Sequence, residues 1–189
     1  MSKNIIVAGV GGQGLVLMTR IISQAAFNEK YDVKTNDVIG LSQRGGMVWG
    51  NIKYGKEVFS PNIYYGKADI IVSLEPLEAL RWSEMLKSDG IVITNDSKVY
   101  PTIVQQEKEM YPDEEILEMS KKFKTIKLNS RKEALELGKP QVENTILIGV
   151  LAKFCEFSQN SWIEAIRMNV KPDFFKLNIE AFEKGQNLL

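Results

Sequence analysis

The sequence predicts an α/β fold of three layers, α/β/α, on a Rossmann-like and mixed sheet. Three observations predict it. Short β-branched runs (NIIVAG at 4–9, DIIVSL at 69–74, GIVITN at 90–95) alternate with segments whose apolar residues recur at helical spacing. A glycine-rich stretch, GVGGQG at 9–14, stands directly between the first such run and the first helical segment. A further strand-like run, MVWGNIKY at 47–54, meets the turn Tyr54-Gly55-Lys56, which implies a hairpin and therefore antiparallel pairing beside the parallel.

Taken in order, Asn4 to Gly9 reads as a buried strand ending in glycine, and Gln13 to Phe27 as a helix with Val16, Ile21, Ile22, Ala25 and Ala26 on its apolar face. Val33 to Val38 is a second strand, and GLSQRGG at 40–46 interrupts the pattern. Met47 to Tyr54 and Glu57 to Phe59 form the predicted hairpin. Asp69 to Leu74 is a buried strand, followed by a helix over Pro76 to Leu86 with proline at a tolerated first-turn position. Gly90 to Asn95 is the next strand. The signal is weak from Val99 to Pro112. Asp113 to Lys124 reads as a charged helix, Thr125 to Leu128 as a short strand, and Ser130 to Leu137 as a helix stopped by Gly138 and Pro140. Asn144 to Glu156, Trp162 to Val170 and Asp173 to Lys184 close the chain as helices.

No repeat or long linker divides the 189 residues, so a single domain over 1–189 is expected. Lysine plus arginine equals aspartate plus glutamate at 24 each, which argues against a nucleic-acid surface. The start, MSKNIIVAGVGG, does not read as a signal peptide, and no run approaches the roughly 20 apolar residues that span a bilayer. A reduced, cytoplasmic setting without membrane contact is the expectation.

There is one cysteine, Cys155, and no histidine. One thiol cannot hold an iron–sulfur cluster, which takes about four thiolates. Without histidine the usual general base, zinc ligand and serine–histidine pairing are missing. Any chemistry is therefore expected to be shared with another molecule.

Two glycine-bearing loops carry the anion-binding signals. In GVGGQG, Gly9, Gly11, Gly12 and Gly14 remove the Cβ atoms that would block a tight turn, and with Gln13 they bring backbone N–H groups to a helix N-terminus. A phosphate or carboxylate fits there. A dinucleotide site also needs an acid about 20 residues on, at the end of the second strand. Glu29 and Asp32 precede that strand and Asp37 comes late, so the signature is incomplete. The plainer reading is that the glycines only let the strand turn closely into the helix. In GLSQRGG, Arg44 offers a planar cationic fork, Ser42 and Gln43 neutral donors, and Gly45 and Gly46 accessible backbone. A structural ion pair of Arg44 with Glu75 or Glu78 is the competing role.

Glu75 sits at a strand-to-helix junction, at the sheet edge where α/β domains place ligands, and could orient Arg44. Glu78 and Arg81 stand three apart, a helix-surface pair. Asn95 ends a strand at the same edge, and Asn144 reads as a helix cap. Trp49, Trp82 and Trp162 are expected as core or interface anchors, and Cys155 as a buried structural thiol.

Several of these stretches, in order, resemble a known family. They are GVGGQG at 9–14, GLSQRGG at 40–46, Ser60-Pro61 ahead of an Asn-Ile strand, ADIIVSLEPLEALR at 68–81, GIVITN at 90–95, Tyr111-Pro112 before an acidic helix, and the tail from Asn178 to Gly185. The set resembles the gamma-type subunit or domain of 2-oxoacid:ferredoxin oxidoreductases, nearest to the small beta subunit of the indolepyruvate type.

The resemblance implies an oxidoreductase subunit that is not catalytic alone. The complex would convert a 2-oxoacid and coenzyme A to an acyl-CoA and carbon dioxide, with electrons passed to ferredoxin. Thiamine diphosphate and iron–sulfur clusters would belong to a large partner subunit. On this reading the 40–46 loop faces the coenzyme A phosphates or the oxoacid carboxylate, with Glu75 and Asn95 in support. Two rival readings stay open at this point: a free-standing nicotinamide- or flavin-binding oxidoreductase, and a purely structural subunit.

Overall fold

The computed structural model describes residues 2–39 and 46–189. Ser42, Gln43, Arg44 and Gly45, all nominated above, lie outside the described residues together with Gly40 and Leu41.

The fold is a six-stranded mixed sheet between helices. Strand β1 (Lys3–Val10) leads into helix α1 (Leu15–Asn28), then β2 (Asp32–Ile39), β3 (Met47–Gly55) and β4 (Ala68–Ser73). Helix α2 (Pro76–Trp82) and a 3₁₀ turn at Ser83–Met85 precede β5 (Leu86–Asn95). A short helical turn α3 (Thr102–Gln105), helix α4 (Asp113–Lys122), β6 (Lys124–Leu128) and α5 (Ser130–Glu136) follow. A 3₁₀ turn at Pro140–Val142 opens onto α6 (Glu143–Ala152), then α7 (Gln159–Asn169) and α8 (Pro172–Gln186).

The strand order is β2-β3-β1-β4-β5-β6. β1 pairs parallel with β4, β4 with β5 and β5 with β6. β3 runs antiparallel to both β1 and β2. The mixed sheet expected from the sequence is therefore present, but its antiparallel partner differs from the predicted one. Glu57 to Phe59 forms no strand. The chain leaves β3 after Gly55, and the Val58 N–H donates to Oδ2 of Asp32 instead of to a ladder. The hairpin is β2–β3, and residues 62–63 form no strand either.

Alternation along the strands separates two cores. Ile5, Val7, Ile52, Ile70, Val72 and Ile93 face α1, α6, α7 and α8. Ile6, Ile71 and Val92 face the other side, under Ala79 of α2 and Met119 of α4. Helix α6 is buried all round, as its apolar sequence ILIGVLA requires. It meets α8 backbone to backbone, because a Cβ on Gly149 would lie 2.1 Å from the Phe182 carbonyl and one on Gly185 would lie 2.1 Å from that of Ile146. Helix α4 is mostly exposed and docks through Met119, and Asp113, Glu114 and Glu115 in its first turn and Lys121 and Lys122 in its last complement the helix dipole. Ser158 caps α7 by accepting from the Ser161 N–H. Among the described residues no helix is long and apolar enough to cross a membrane.

Candidate functional site

β1 and β4 lie side by side and parallel, and both end at the same sheet edge. The GVGGQG turn leaves β1 there, and Leu74-Glu75 leaves β4. Helix α1 begins two residues later than the sequence predicts, because Gly14 occupies its N-cap in the left-handed region at φ 79°. Gly12 is also left-handed, at φ 100°, and a Cβ there would meet open space. Gly9 serves a different need: a Cβ would come within 3.1 Å of Leu74.

Gln13 turns back into its own loop. Its Oε1 accepts from the Val10 N–H at 2.7 Å, and its Nε2 donates to the Leu74 carbonyl at 3.3 Å. The Gly11 N–H donates to the Gly46 carbonyl at 2.8 Å, so the two glycine-bearing loops touch through their backbones. The Gln13 N–H is used on the Val10 carbonyl. What remains for a ligand are the N–H groups of Gly12, Gly14, Leu15 and Val16, none of which bonds to another described residue. Of these residues, Gly12 and Gly14 line a pocket of about 330 Å³ that Arg131 and Glu143 also line. Burial holds the Glu143 carboxyl above the usual carboxylate range, with Arg131 opposing that shift.

Asn144 does not cap α6; Val142 occupies the cap position without a side-chain bond. The Asn144 side chain instead donates from Nδ2 to the Gln13 carbonyl, tying α6 to the glycine turn. Asn95 donates weakly to the Leu74 carbonyl at 3.5 Å and accepts from the Ser130 N–H at 3.1 Å, which joins β5 to α5. Gln13 and Asn95, nominated from different segments, thus share one carbonyl next to Glu75.

Glu75 is fully buried. It is the N-cap of α2, its Oε2 accepting from the Glu78 N–H at 3.1 Å, while Oε1 accepts from the Tyr111 hydroxyl at 2.6 Å and the Val99 N–H at 3.3 Å. The sequence missed Tyr111 in this role. The weakly patterned stretch before it gives no period, and the one available signal was a buried acid in need of donors.

Glu78 is not the surface residue that its spacing to Arg81 implies. It is 2% exposed, with Oε1 paired to Arg81 Nη1 at 2.6 Å and Oε2 without a partner. Burial pushes its carboxyl up to about 7, against the pull of Arg81. Trp162 is a core residue, whereas Trp49 and Trp82 pack against each other with ring centroids 4.5 Å apart and planes tilted by 43°. Cys155 is buried, as expected. Of the acids weighed for a ribose, Glu29 accepts from the Ser158 N–H and Asp32 from Val58 and Lys34, which leaves Asp37, exposed and beside Thr19.

Residues 4–188 match the pyruvate ferredoxin/flavodoxin oxidoreductase family. The chain belongs to this family. It is 37% identical over 188 residues to the indolepyruvate oxidoreductase subunit IorB of Thermococcus kodakarensis, covering 96% of this chain and 93% of that one. Its fold superposes on the gamma subunit of a keto/oxoacid ferredoxin oxidoreductase from Geobacter sulfurreducens with a TM-score of 0.76 at 20% identity, covering 99% and 95% of the two chains. The 2-oxoglutarate:ferredoxin oxidoreductase of Magnetococcus marinus matches equally well, at TM-score 0.76 and 17% identity, but this chain spans only 31% of it. The gamma-type fold thus occurs both as a separate chain and as part of a longer one. The chain described here is a gamma- or IorB-type oxidoreductase subunit of the 2-oxoacid:ferredoxin oxidoreductase family.

Proposed function

We propose that this subunit, as one domain over 1–189, works in the cytoplasm within an indolepyruvate- or aryl-pyruvate:ferredoxin oxidoreductase. With a large partner subunit it would take part in the conversion of the 2-oxoacid and coenzyme A to acyl-CoA and carbon dioxide, releasing one proton and two electrons to ferredoxin. The single observation that carries the substrate class is the 37% identity, over nearly the whole of both chains, to an indolepyruvate oxidoreductase subunit.

Thiamine diphosphate and the iron–sulfur clusters belong to the partner on this reading. The one thiol here is buried and its pKa is pushed up to about 11 by that burial, so this chain offers no cluster ligands. Coenzyme A phosphates would find donors in the N–H groups of Gly12 and Gly14 and in the Arg131 guanidinium, which line one pocket. Ser42, Gln43, Arg44, Gly45 and Gly46 would add the cationic fork and neutral donors that those phosphates or the oxoacid carboxylate require.

Dependence on a partner is supported by one face of the sheet. α1 covers β2 and β3 on one side. On the other, Val38 pairs with Trp49 across the ladder, and Met47, Trp82 and Met85 surround a cleft beside Tyr65, which is 74% exposed. Aromatic and methionine side chains gathered here, with Arg81 and Glu84 also lining the cleft, have the composition of a protein interface. The test is to co-express the chain with the large subunit and measure coenzyme A-dependent viologen reduction. Indolepyruvate should exceed pyruvate in kcat/KM; a preference for pyruvate would defeat the substrate assignment.

A further inference from the structure

Adjoining the Gly12 pocket at Leu17, a second pocket of about 380 Å³ opens between α1, the Pro140–Val142 turn, the end of α7 and the start of α8. Leu17 and Gln141 border both pockets. Its walls are apolar: Leu17, Val142, Val170, Phe174 and Leu177. Phe174 is 44% exposed, the widest opening of apolar surface on that wall.

The mouth is cationic. Lys139 holds its Nζ 5.9 Å from the centre of the Phe174 ring, and Lys171 occupies the N-cap position of α8, where the helix dipole adds further positive potential. Neither lysine belongs to an ion pair among the described residues. No aspartate or glutamate lines the pocket.

Of the polar side chains inside, the two asparagines are engaged elsewhere and Gln141, among the described residues, is not. Asn178 accepts from the Thr145 hydroxyl and donates to the Phe174 carbonyl, and the Asn169 amide donates to the Ala165 carbonyl. A sugar or nucleoside would find few partners. An apolar body with one negative charge at the mouth finds both of its needs met.

We propose that this pocket binds a small organic anion, a monocarboxylate with an aromatic or branched apolar body. The site uses neither the glycine turn nor the sheet edge, although it shares Leu17 and Gln141 with the Gly12 pocket. Its lysines select the anion, and its walls select the apolar body.

The experiment is ¹⁹F NMR titration of the full chain with 4-fluorophenylacetate and with its neutral isostere, 4-fluorophenylacetamide. The acid should saturate at millimolar concentration or below and bind at least about tenfold more tightly than the amide. The double variant Lys139→Glu/Lys171→Glu should weaken the acid by about tenfold and leave the amide unchanged. A charge-matched control, Lys121→Glu/Lys122→Glu on α4, should alter neither. All four lysines are solvent-facing, and thermal melts check that the variants stay folded. Failure of the acid to saturate, equal binding of acid and amide, or equal weakening in the control overturns the proposal.

Discussion

The Tyr111 hydroxyl donates a 2.6 Å hydrogen bond to Oε1 of Glu75, a fully buried carboxylate that also caps α2. The same hydroxyl accepts from the Leu77 N–H at 3.2 Å. One phenol thereby joins the segment before α4 to the first turn of α2. Tyr111→Phe leaves a buried carboxylate oxygen short of a donor and should cost about 1–2 kcal/mol. Glu75→Ala also loses the cap and should cost about 2–4 kcal/mol. Urea titrations of both variants measure the difference, and equal stability of Tyr111→Phe and the parent chain would contradict the network.

Glu78 predicts a pH dependence. Its folded pKa is about 7 against an ordinary 4.5, because burial disfavours the charged form. The folded chain therefore holds a proton that the unfolded chain releases between those values. This contribution is complete below pH 4.5 and fades as pH rises through 7. The shift is worth about 3 kcal/mol. Glu78→Gln should flatten the decline in stability between pH 5 and pH 8 that the parent shows. Parallel pH profiles for the two proteins would refute the assignment.

Glycine positions should separate by what surrounds them. A Cβ on Gly149 meets carbonyl oxygen across the α6–α8 contact, so Gly149→Ala should cost about 3 kcal/mol through forced separation of the helices. Gly66 has positive φ but open space, and Gly66→Ala should cost only about 1 kcal/mol. Thermal melts rank the two; the reverse order would mean that α6 and α8 adapt freely.

The strands were legible where the chemistry is local. NIIVAG, DIIVSL and GIVITN are buried on both faces and need no knowledge of their neighbours. Helix α2 ends at Trp82 rather than Leu86, because Leu86 already belongs to β5, a tertiary demand that helical spacing does not carry. Glu57 to Phe59 has strand composition, but Asp32 captures its backbone. In the candidate site, Gln13, Glu75 and Asn95 could be nominated from their places at strand ends. Their partners could not, since Tyr111 and Asn144 arrive from 36 and 131 residues away. The surface look of Glu78 misled for the same reason: spacing to Arg81 sets a helical pair and says nothing of what packs above it.

Arg44 tests whether the subunit touches a ligand. In the assembled enzyme, Arg44→Ala should raise the KM for coenzyme A or oxoacid by about tenfold or more, with subunit assembly intact. Unchanged kinetics would reduce the subunit to a structural role.

The central claim is that this chain contributes a binding surface and its partner the reactive groups. The most direct measurement is oxoacid-dependent viologen reduction by the purified chain alone, the large subunit alone, and the two combined, with thiamine diphosphate and coenzyme A supplied throughout. The account predicts full turnover only from the combination and none from this chain alone. Turnover of an oxoacid by this chain without the second protein would contradict it.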